Sequence, residues 1–417
     1  MIIFYVRAKD VGGVQVLYLN LIKELFNKNI IVKLISYKES WLNSELNRYK
    51  IKYEFLNIES TKIQEFNTFI KAEDILVSTF LMDEYFLFLK VNPLLLFWNV
   101  FPRTLYVNES KINVLRKLFR KRLINKMINN RGLVFMDNSG VNSIKNQFGI
   151  SIKSEIIQIP INTSEKNLYL TMKKRKHDNI INITYLGRAE KWKVKPVIKI
   201  LKDIYEYKSN EFKIIFHIIT DEIEEFIKLL DFTATIFELR FYSGISGENL
   251  TRFLLEKADL HIAMGTSCLE GSGNGIPSIL IDASFNDFPE NYKYRWIFEN
   301  ENYSLGELLE DSSDIMKGHT LTEILDYYNE DRADELVSIS NLCFEYTKRN
   351  HGLELVTNSF IHACFNTELR IKDVICNDIF YLNKDTVKKI SYNKSMILKK
   401  LLLNNNDIKN KSLEVEL

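Results

Sequence analysis

Gly265-Thr-Ser-Cys-Leu-Glu-Gly-Ser-Gly-Asn-Gly-Ile-Pro-Ser-Ile-Leu-Ile-Asp282 is the stretch on which the fold turns. It holds four of the 15 glycines in 417 residues. The apolar run Leu260 to Met264 before it predicts a buried strand, and Ile279 to Ile281 after it predicts a second. Glycine lacks a Cβ, so between the two strands another group can approach the backbone closely. A helix starting near Leu269 aims free backbone N–H groups at that space, and such an end binds phosphate. Glu270 is then expected in the first turn, where its carboxylate can accept hydrogen bonds from two adjacent hydroxyls, such as those of a ribose. The competing account is purely structural: a Gly-rich strand–turn–helix, with an acid stabilising the helix N-terminus.

Length predicts two domains of roughly 150 to 200 residues each. Hydrophobic residues make up 46% and charged residues 26%, as in a globular protein with a full core. A net charge of +2 names no nucleic-acid partner. Cys268, Cys343, Cys364 and Cys376 show no CxxC spacing, which predicts a reducing compartment and no zinc site. The first ten residues have no basic segment and too short an apolar run for a secretory signal. The most apolar window, Phe80 to Phe101, is broken by Asp83, Glu84, Lys90 and Pro93, against a membrane span. A cytoplasmic location is the expectation.

Outward from the central stretch, strands and helices alternate. Ile2 to Arg7 predicts a strand, Gly12 and Gly13 with Asp10 a loop, Val14 to Phe26 a helix, and Ile30 to Ser36 a strand, which is one βαβ unit. Strands are further predicted at Tyr53 to Ile58, Ile75 to Phe80, Leu94 to Asn99, Gly132 to Asp137 and Glu155 to Ile159, with a helix near Lys62 to Ile70. A polar run at 165–180 reads as a linker. A second series follows: strands at Ile181 to Leu186, Phe212 to Ile219 and Arg240 to Tyr242, and helices at Pro196 to Tyr207, Glu222 to Leu230 and Leu250 to Ala258. Helix is expected from Leu321 onward. Such alternation implies parallel sheets covered on both faces. The domains are expected at 1–164 and 181–365, with a helical extension and tail at 366–417. Gly13 and Gly265 each follow a strand, where open α/β sheets bind ligands, so one cleft between two doubly wound domains is predicted.

Two further stretches carry chemistry. Gly187 and Arg188 follow a predicted strand and Lys193 comes five residues later. Two cations there suit a diphosphate clamp, Arg as a bidentate fork and Lys as a compact charge. Lys191 and Lys195 leave the choice of lysine open. Lys111 to Arg131 carries eight basic residues, no acid, and an apolar stripe of Leu115, Leu118, Phe119, Leu123, Ile124 and Met127. It reads either as a membrane-surface helix or as a helix packed on the sheet with a solvated basic face.

In their order, Gly12–Gly13, Gly187–Arg188 with Lys193, and Glu270 to Pro277 resemble the GT-B glycosyltransferases, most closely glycosyltransferase family 4. The resemblance spans about residues 1 to 282. It implies two Rossmann-like domains facing across a cleft. It also implies a hexosyltransferase-type enzyme moving a sugar from a nucleotide-diphosphate sugar to a glycan or lipid-linked acceptor, retaining, metal-independent and without a cofactor. The setting implied is surface polysaccharide assembly, at the inner face of an anionic membrane if 111–131 docks there. Carried over by position, Arg188 and Lys193 neutralise the leaving diphosphate and Glu270 holds the ribose. Backbone at Gly265, Thr266, Ser267, Cys268 and Leu269 faces diphosphate and sugar. Gly12 and Gly13 approach the phosphate, Gly187 belongs to the clamp, and Gly244 lies in the base-binding loop. The family's second glutamate, eight residues before the position of Glu270, falls here on Ile262, and its N-terminal histidine is absent. Asp10, Asn99 or Asp137 is expected on the acceptor side. His261 is expected to be a packed strand residue. A nucleotide-sugar epimerase and a non-catalytic nucleotide-sugar-binding partner subunit are the alternatives.

Overall fold

The computed structural model describes residues 1–59, 63–80, 86, 89–101, 104–105, 113–152, 155–163, 179–207, 212–230, 237–300, 303–311 and 317–378. The polar run at 165–178 and the chain from 379 lie outside them.

The N-terminal half runs β1 (Ile2–Tyr5), α1 (Gly13–Asn27), β2 (Val32–Ser36), α2 (Trp41–Arg48), β3 (Glu54–Asn57), α3 (Ile63–Phe69), β4 (Ile75–Ser78), β5 (Leu94–Asn99), α4 (Asn113–Asn129), β6 (Leu133–Phe135) and α5 (Asn138–Phe148). Its six strands lie parallel in the order β3-β2-β1-β4-β5-β6. Every residue of β1, β2 and β4 is buried, as continuous apolar runs in a two-sided parallel sheet require.

The C-terminal half runs β7 (Ile180–Leu186), α6 (Lys191–Glu206), β8 (Lys213–Ile219), α7 (Ile223–Leu230), β9 (Glu238–Tyr242), α8 (Gly247–Lys257), β10 (Leu260–Ala263), α9 (Thr266–Ser272), β11 (Ser278–Leu280), β12 (Arg295–Trp296), α10 (Leu321–Leu325), α11 (Ala333–His351), α12 (Leu353–Asn366) and α13 (Ile371–Asp378). The sheet order is β12-β11-β10-β7-β8-β9, with only β12 antiparallel. Two doubly wound α/β units are therefore present.

Four expectations shift. Glu155 to Ile159 is not a strand: it makes one bridge, Ile156 to Phe135, before Ile161 pairs with Gly352. Pro196 lies inside α6 instead of opening it, and the helix begins at Lys191. The extension begins earlier than residue 366. After Gly352 the chain crosses back, and Phe360 of α12 stacks on Phe4 and Trp98 of the N-terminal sheet. The Leu95 N–H then donates to the Leu369 carbonyl at 2.8 Å, and Lys126 of α4 pairs with Asp373 of α13 at 2.9 Å. Finally, the apolar stripe of the basic helix is largely consumed by packing: Leu123, Ile124 and Met127 are fully buried and Arg120 nearly so, while Leu118 is exposed. Lys111 lies outside the described residues, as do the side chains of 113–116.

Candidate functional site

The central stretch folds tightly. β10 ends at Ala263 and α9 begins at Thr266, so only Met264 and Gly265 connect them. Gly265 has φ +64°, a left-handed conformation that a Cβ disfavours, and its missing Cβ faces open space. Its N–H donates to the Leu305 carbonyl at 2.7 Å. The helix starts three residues before the expected Leu269, so Glu270 is its fifth residue and not in the first turn. Cys268 and Leu269 are fully buried; Cys268 packs under the helix and presents no side chain to the cleft.

His261 fixes this helix from below. It is fully buried, with Nδ1 2.9 Å from Thr184 Oγ1 and Nε2 2.8 Å from the Ser267 carbonyl. A carbonyl only accepts, so Nε2 carries the proton and Nδ1 accepts from Thr184. Burial pushes its pKa down to about 4, and it is a neutral packing residue, as expected. Gly271 lies directly above it: a Cβ there would sit 2.5 Å from the imidazole.

The two halves meet here. A Cβ on Gly13 would lie 3.9 Å from Thr266 Oγ1, and one on Gly12 would lie 2.7 Å from Arg188 Nη2. Arg188 reaches from the loop after β7 and donates to the Val11 carbonyl at 2.9 Å. That loop is held by Gly187 N–H to Ile219 O at 3.2 Å and by Ala189 N–H to Glu222 Oε2 at 2.7 Å. Gly187 is required because the Tyr185 hydroxyl lies 2.4 Å from where its Cβ would be. Beside these residues, Gly13, Val16, Leu17 and Asn20 of α1, Ile159 to Ile161, and Thr266, Leu269 and Glu270 line one interdomain cavity. Glu270 is half-buried, its carboxylate has no hydrogen bond among the described residues, and burial pushes its pKa up to about 7.

The other candidates divide. Lys193 is turned onto Glu190 (3.2 Å) and the Trp192 ring, and Lys195 onto Asp287 (3.0 Å), whereas Arg188 reaches the N-terminal half. Gly244 has φ +69° in the loop after β9, and its N–H donates to Asp221 Oδ1 at 2.8 Å. Asp10 is exposed on the loop after β1. Asn99 and Asp137 are each 1% exposed at the carboxyl ends of β5 and β6. Asp137 caps α5 through the Gly140 N–H at 3.2 Å, and burial pushes its pKa up to about 6 against the pull of nearby backbone amides. Ile262 is fully buried between β7 and β11. Two residues, Met264 and Gly265, separate its strand from α9. Sequence reading missed Val11 and the segment 303–307, whose roles rest on backbone groups that carry no sequence signal, and Glu222, whose carboxylate accepts from the Ala189 N–H.

The fold has solved counterparts. The chain is similar to Anabaena HepE in complex with UDP and glucose (10% identity, 87% of this chain and 98% of that one, TM-score 0.53). It is also similar to a glycosyltransferase from Rickettsia africae (16%, 90% and 98%, TM-score 0.54). A third is an S. aureus TarM mutant in complex with fondaparinux, alpha-GlcNAc-glycerol and UDP (12%, 87% and 99%, TM-score 0.54). The fold is GT-B. No protein-family profile matches the chain, and neither does any curated sequence. Among the described residues no group of three or more His, Cys, Asp and Glu is placed to hold a metal, and no helix is long and apolar enough to cross a membrane.

Proposed function

We propose that this chain is a family-4-like GT-B glycosyltransferase of the hexosyltransferase type. It moves a sugar from a nucleotide-diphosphate sugar to a glycan or lipid-linked acceptor in surface polysaccharide assembly. The observation that carries this is that Gly13, Thr266 and Glu270 line one interdomain cavity, with Arg188 reaching the neighbouring Val11–Gly12 backbone.

A diphosphate entering that space replaces the Val11 carbonyl as the partner of Arg188 and meets the backbone at Gly265 to Ser267. Glu270 accepts the ribose hydroxyls. Stabilising the departing nucleoside diphosphate is the main catalytic contribution, since fixed donors in a water-poor cleft act most strongly where charge develops. Arg188 supplies that charge in a metal-independent, retaining reaction, and Lys193 joins it on release from Glu190. The bound UDP of HepE and TarM makes UDP the first donor nucleotide to test. Exposed Leu118 and Arg122 of α4 are the part of the basic helix left to meet an anionic inner-membrane surface.

The two-residue connection between β10 and α9 favours one second reading, a nucleotide-sugar-binding subunit without turnover. A thermal-shift screen against UDP, GDP, CMP and their sugars, followed by donor consumption with and without glycan acceptors, separates the two. A ligand that binds only the folded state raises the melting midpoint. A shift lost in Arg188→Ala supports the site; no shift with any nucleotide refutes it; a shift without turnover leaves the binding subunit.

A further inference from the structure

The Glu190 carboxylate holds Lys193 in two ways. Oε1 lies 3.2 Å from Lys193 Nζ. Oε2 accepts from Trp192 Nε1 at 2.6 Å, and the Lys193 ammonium sits 4.7 Å from the centre of that same indole ring. Carboxylate, ammonium and ring therefore close a triangle at the start of α6, with an ion pair on one side and a cation–π contact on another. Glu190 is also the residue that opens this helix, yet its carboxylate makes no hydrogen bond to the amides of the first turn. Both oxygens go to side chains instead.

The backbone beneath the triangle is fixed. The N–H groups of Lys193 and Val194 donate to the Glu190 carbonyl at 2.8 and 3.0 Å. The Tyr185 hydroxyl donates to the Lys193 carbonyl at 3.1 Å, and Glu222 holds the Ala189 N–H. What can move is the lysine side chain, a flexible four-carbon stem. Arg188, on the same loop, donates to the Val11 carbonyl at 2.9 Å. The two cations are thus held by different kinds of group. A diphosphate takes Arg188 from a neutral carbonyl, but it must take Lys193 from a carboxylate.

We propose that Glu190 is a positioning residue for the transfer. It holds Lys193 against Trp192 until a diphosphate draws the ammonium away, and it takes the lysine back when the nucleoside diphosphate leaves. This rests on the glycosyltransferase reading, which puts a diphosphate beside Arg188, and it adds to that reading a carboxylate and an indole that the reading itself does not use. The exchange makes and breaks no covalent bond. Its cost falls on donor binding, since Lys193 must give up a charged partner. Its benefit falls on product release, since a lysine with no such partner holds the departing diphosphate longer. Trp192 registers the exchange, because the ammonium over its ring leaves; Trp98 and Trp296 are fully buried elsewhere.

The test uses Glu190→Gln, which can still accept from Trp192 Nε1 but carries no charge, and Trp192→Phe, which keeps a ring. The first readout needs no nucleotide. Acylation of Lys193 by an N-hydroxysuccinimide ester, followed by mass spectrometry, should be several-fold faster in Glu190→Gln than in the wild type, because the amine is no longer held against a carboxylate. Lys195, which pairs with Asp287, should react alike in both and serves as the internal reference. Equal rates at Lys193 overturn the proposal. The second readout is UDP. Glu190→Gln should bind it roughly 2- to 5-fold more tightly, the worth of a partly exposed ion pair, and release it more slowly in stopped-flow. The gain should vanish when Lys193→Met is added, since two residues acting through one contact are not additive. A gain that persists beside Lys193→Met shows that Glu190 repels the diphosphate directly, and overturns its action through the lysine. UDP should also change the indole emission of the wild type, and that change should be lost in Trp192→Phe; an undiminished change refutes the movement over Trp192. Faster acylation with no UDP binding in any of these proteins refutes the nucleotide reading, while the first readout still supports Glu190 as the group that holds Lys193.

Discussion

Glu270→Gln tests the cleft most directly. Burial raises this carboxyl from 4.5 to about 7. A raised folded-state pKa gives stability that is present below the unfolded value and lost as pH rises through about 7. The gap between 4.5 and about 7 corresponds to about 3 kcal/mol at pH 8, where both states are ionised, and about 1 kcal/mol at pH 5. Glutamine cannot ionise, so the advantage of the variant over the wild type should grow by about 2 kcal/mol between pH 5 and pH 8. At roughly 2–4 °C per kcal/mol for domains of this size, calorimetry should show the two midpoints diverging by about 4–8 °C across that range. Bound nucleotide should act the opposite way. Ribose hydroxyls donate to the ionised form, so UDP should bind the wild type with proton release and more tightly at pH 8 than at pH 6. The variant should bind more weakly, with no such pH dependence. Parallel melting curves for the two proteins would refute the burial argument, and unchanged UDP affinity would refute the ribose role.

Arg188→Ala should leave the melting midpoint nearly unchanged, because the side chain is exposed and its one hydrogen bond among the described residues is to Val11. It should also weaken UDP binding by roughly 10- to 100-fold, the worth of a charge-assisted hydrogen bond; scanning calorimetry reads the midpoint and calorimetric titration the affinity. Gly132→Ala places a Cβ 2.3 Å from that of Leu369 and should destabilise the protein by about 1–3 kcal/mol, seen in urea unfolding, because the returning C-terminal segment is lifted off β5. His217, His261 and His351 are each held neutral by burial, with pKa values of about 4. Their stability is complete above pH 6.5 and lost as pH falls towards 4. Glu270 and Asp137 carry the opposite sign over this range, so Glu270→Gln with Asp137→Asn should steepen the acid loss; an unchanged slope would count against both carboxyl assignments.

The repeating βα pattern is legible because buried parallel strands are unbroken apolar runs, such as Ile2 to Tyr5 and Leu94 to Asn99. Two helices escape the sequence reading although their signals are present. Ser40 caps α2 ahead of Leu42 and Leu46, and Asp137 caps α5 ahead of Ile144 and Phe148, which ends at Gly149 with φ +62°. Of the candidate residues, Gly13, Thr266 and Glu270 line one cavity, and Arg188 reaches the loop beside Gly13. Spacing suggests Lys193 as a second clamp cation, but it cannot see that Glu190 takes that lysine. Glu270 is expected in a first turn because the sequence does not show that helix α9 begins directly at Thr266. Ile262 stands in the sequence where the family has its second glutamate, with the intervening loop reading as shortened or rebuilt; two residues join β10 to α9.

The sequence by itself determined the two-domain α/β architecture and the strand ends that such sheets offer to ligands. Both follow from local rules, namely apolar periodicity and the places where only glycine fits. Tertiary structure decided the rest: the meeting of Arg188 with Val11, the return of Phe360 onto Phe4, and the bond from the Gly265 N–H to the Leu305 carbonyl. These depend on backbone atoms and on partners up to hundreds of residues apart, which only the packing of the two halves brings into contact.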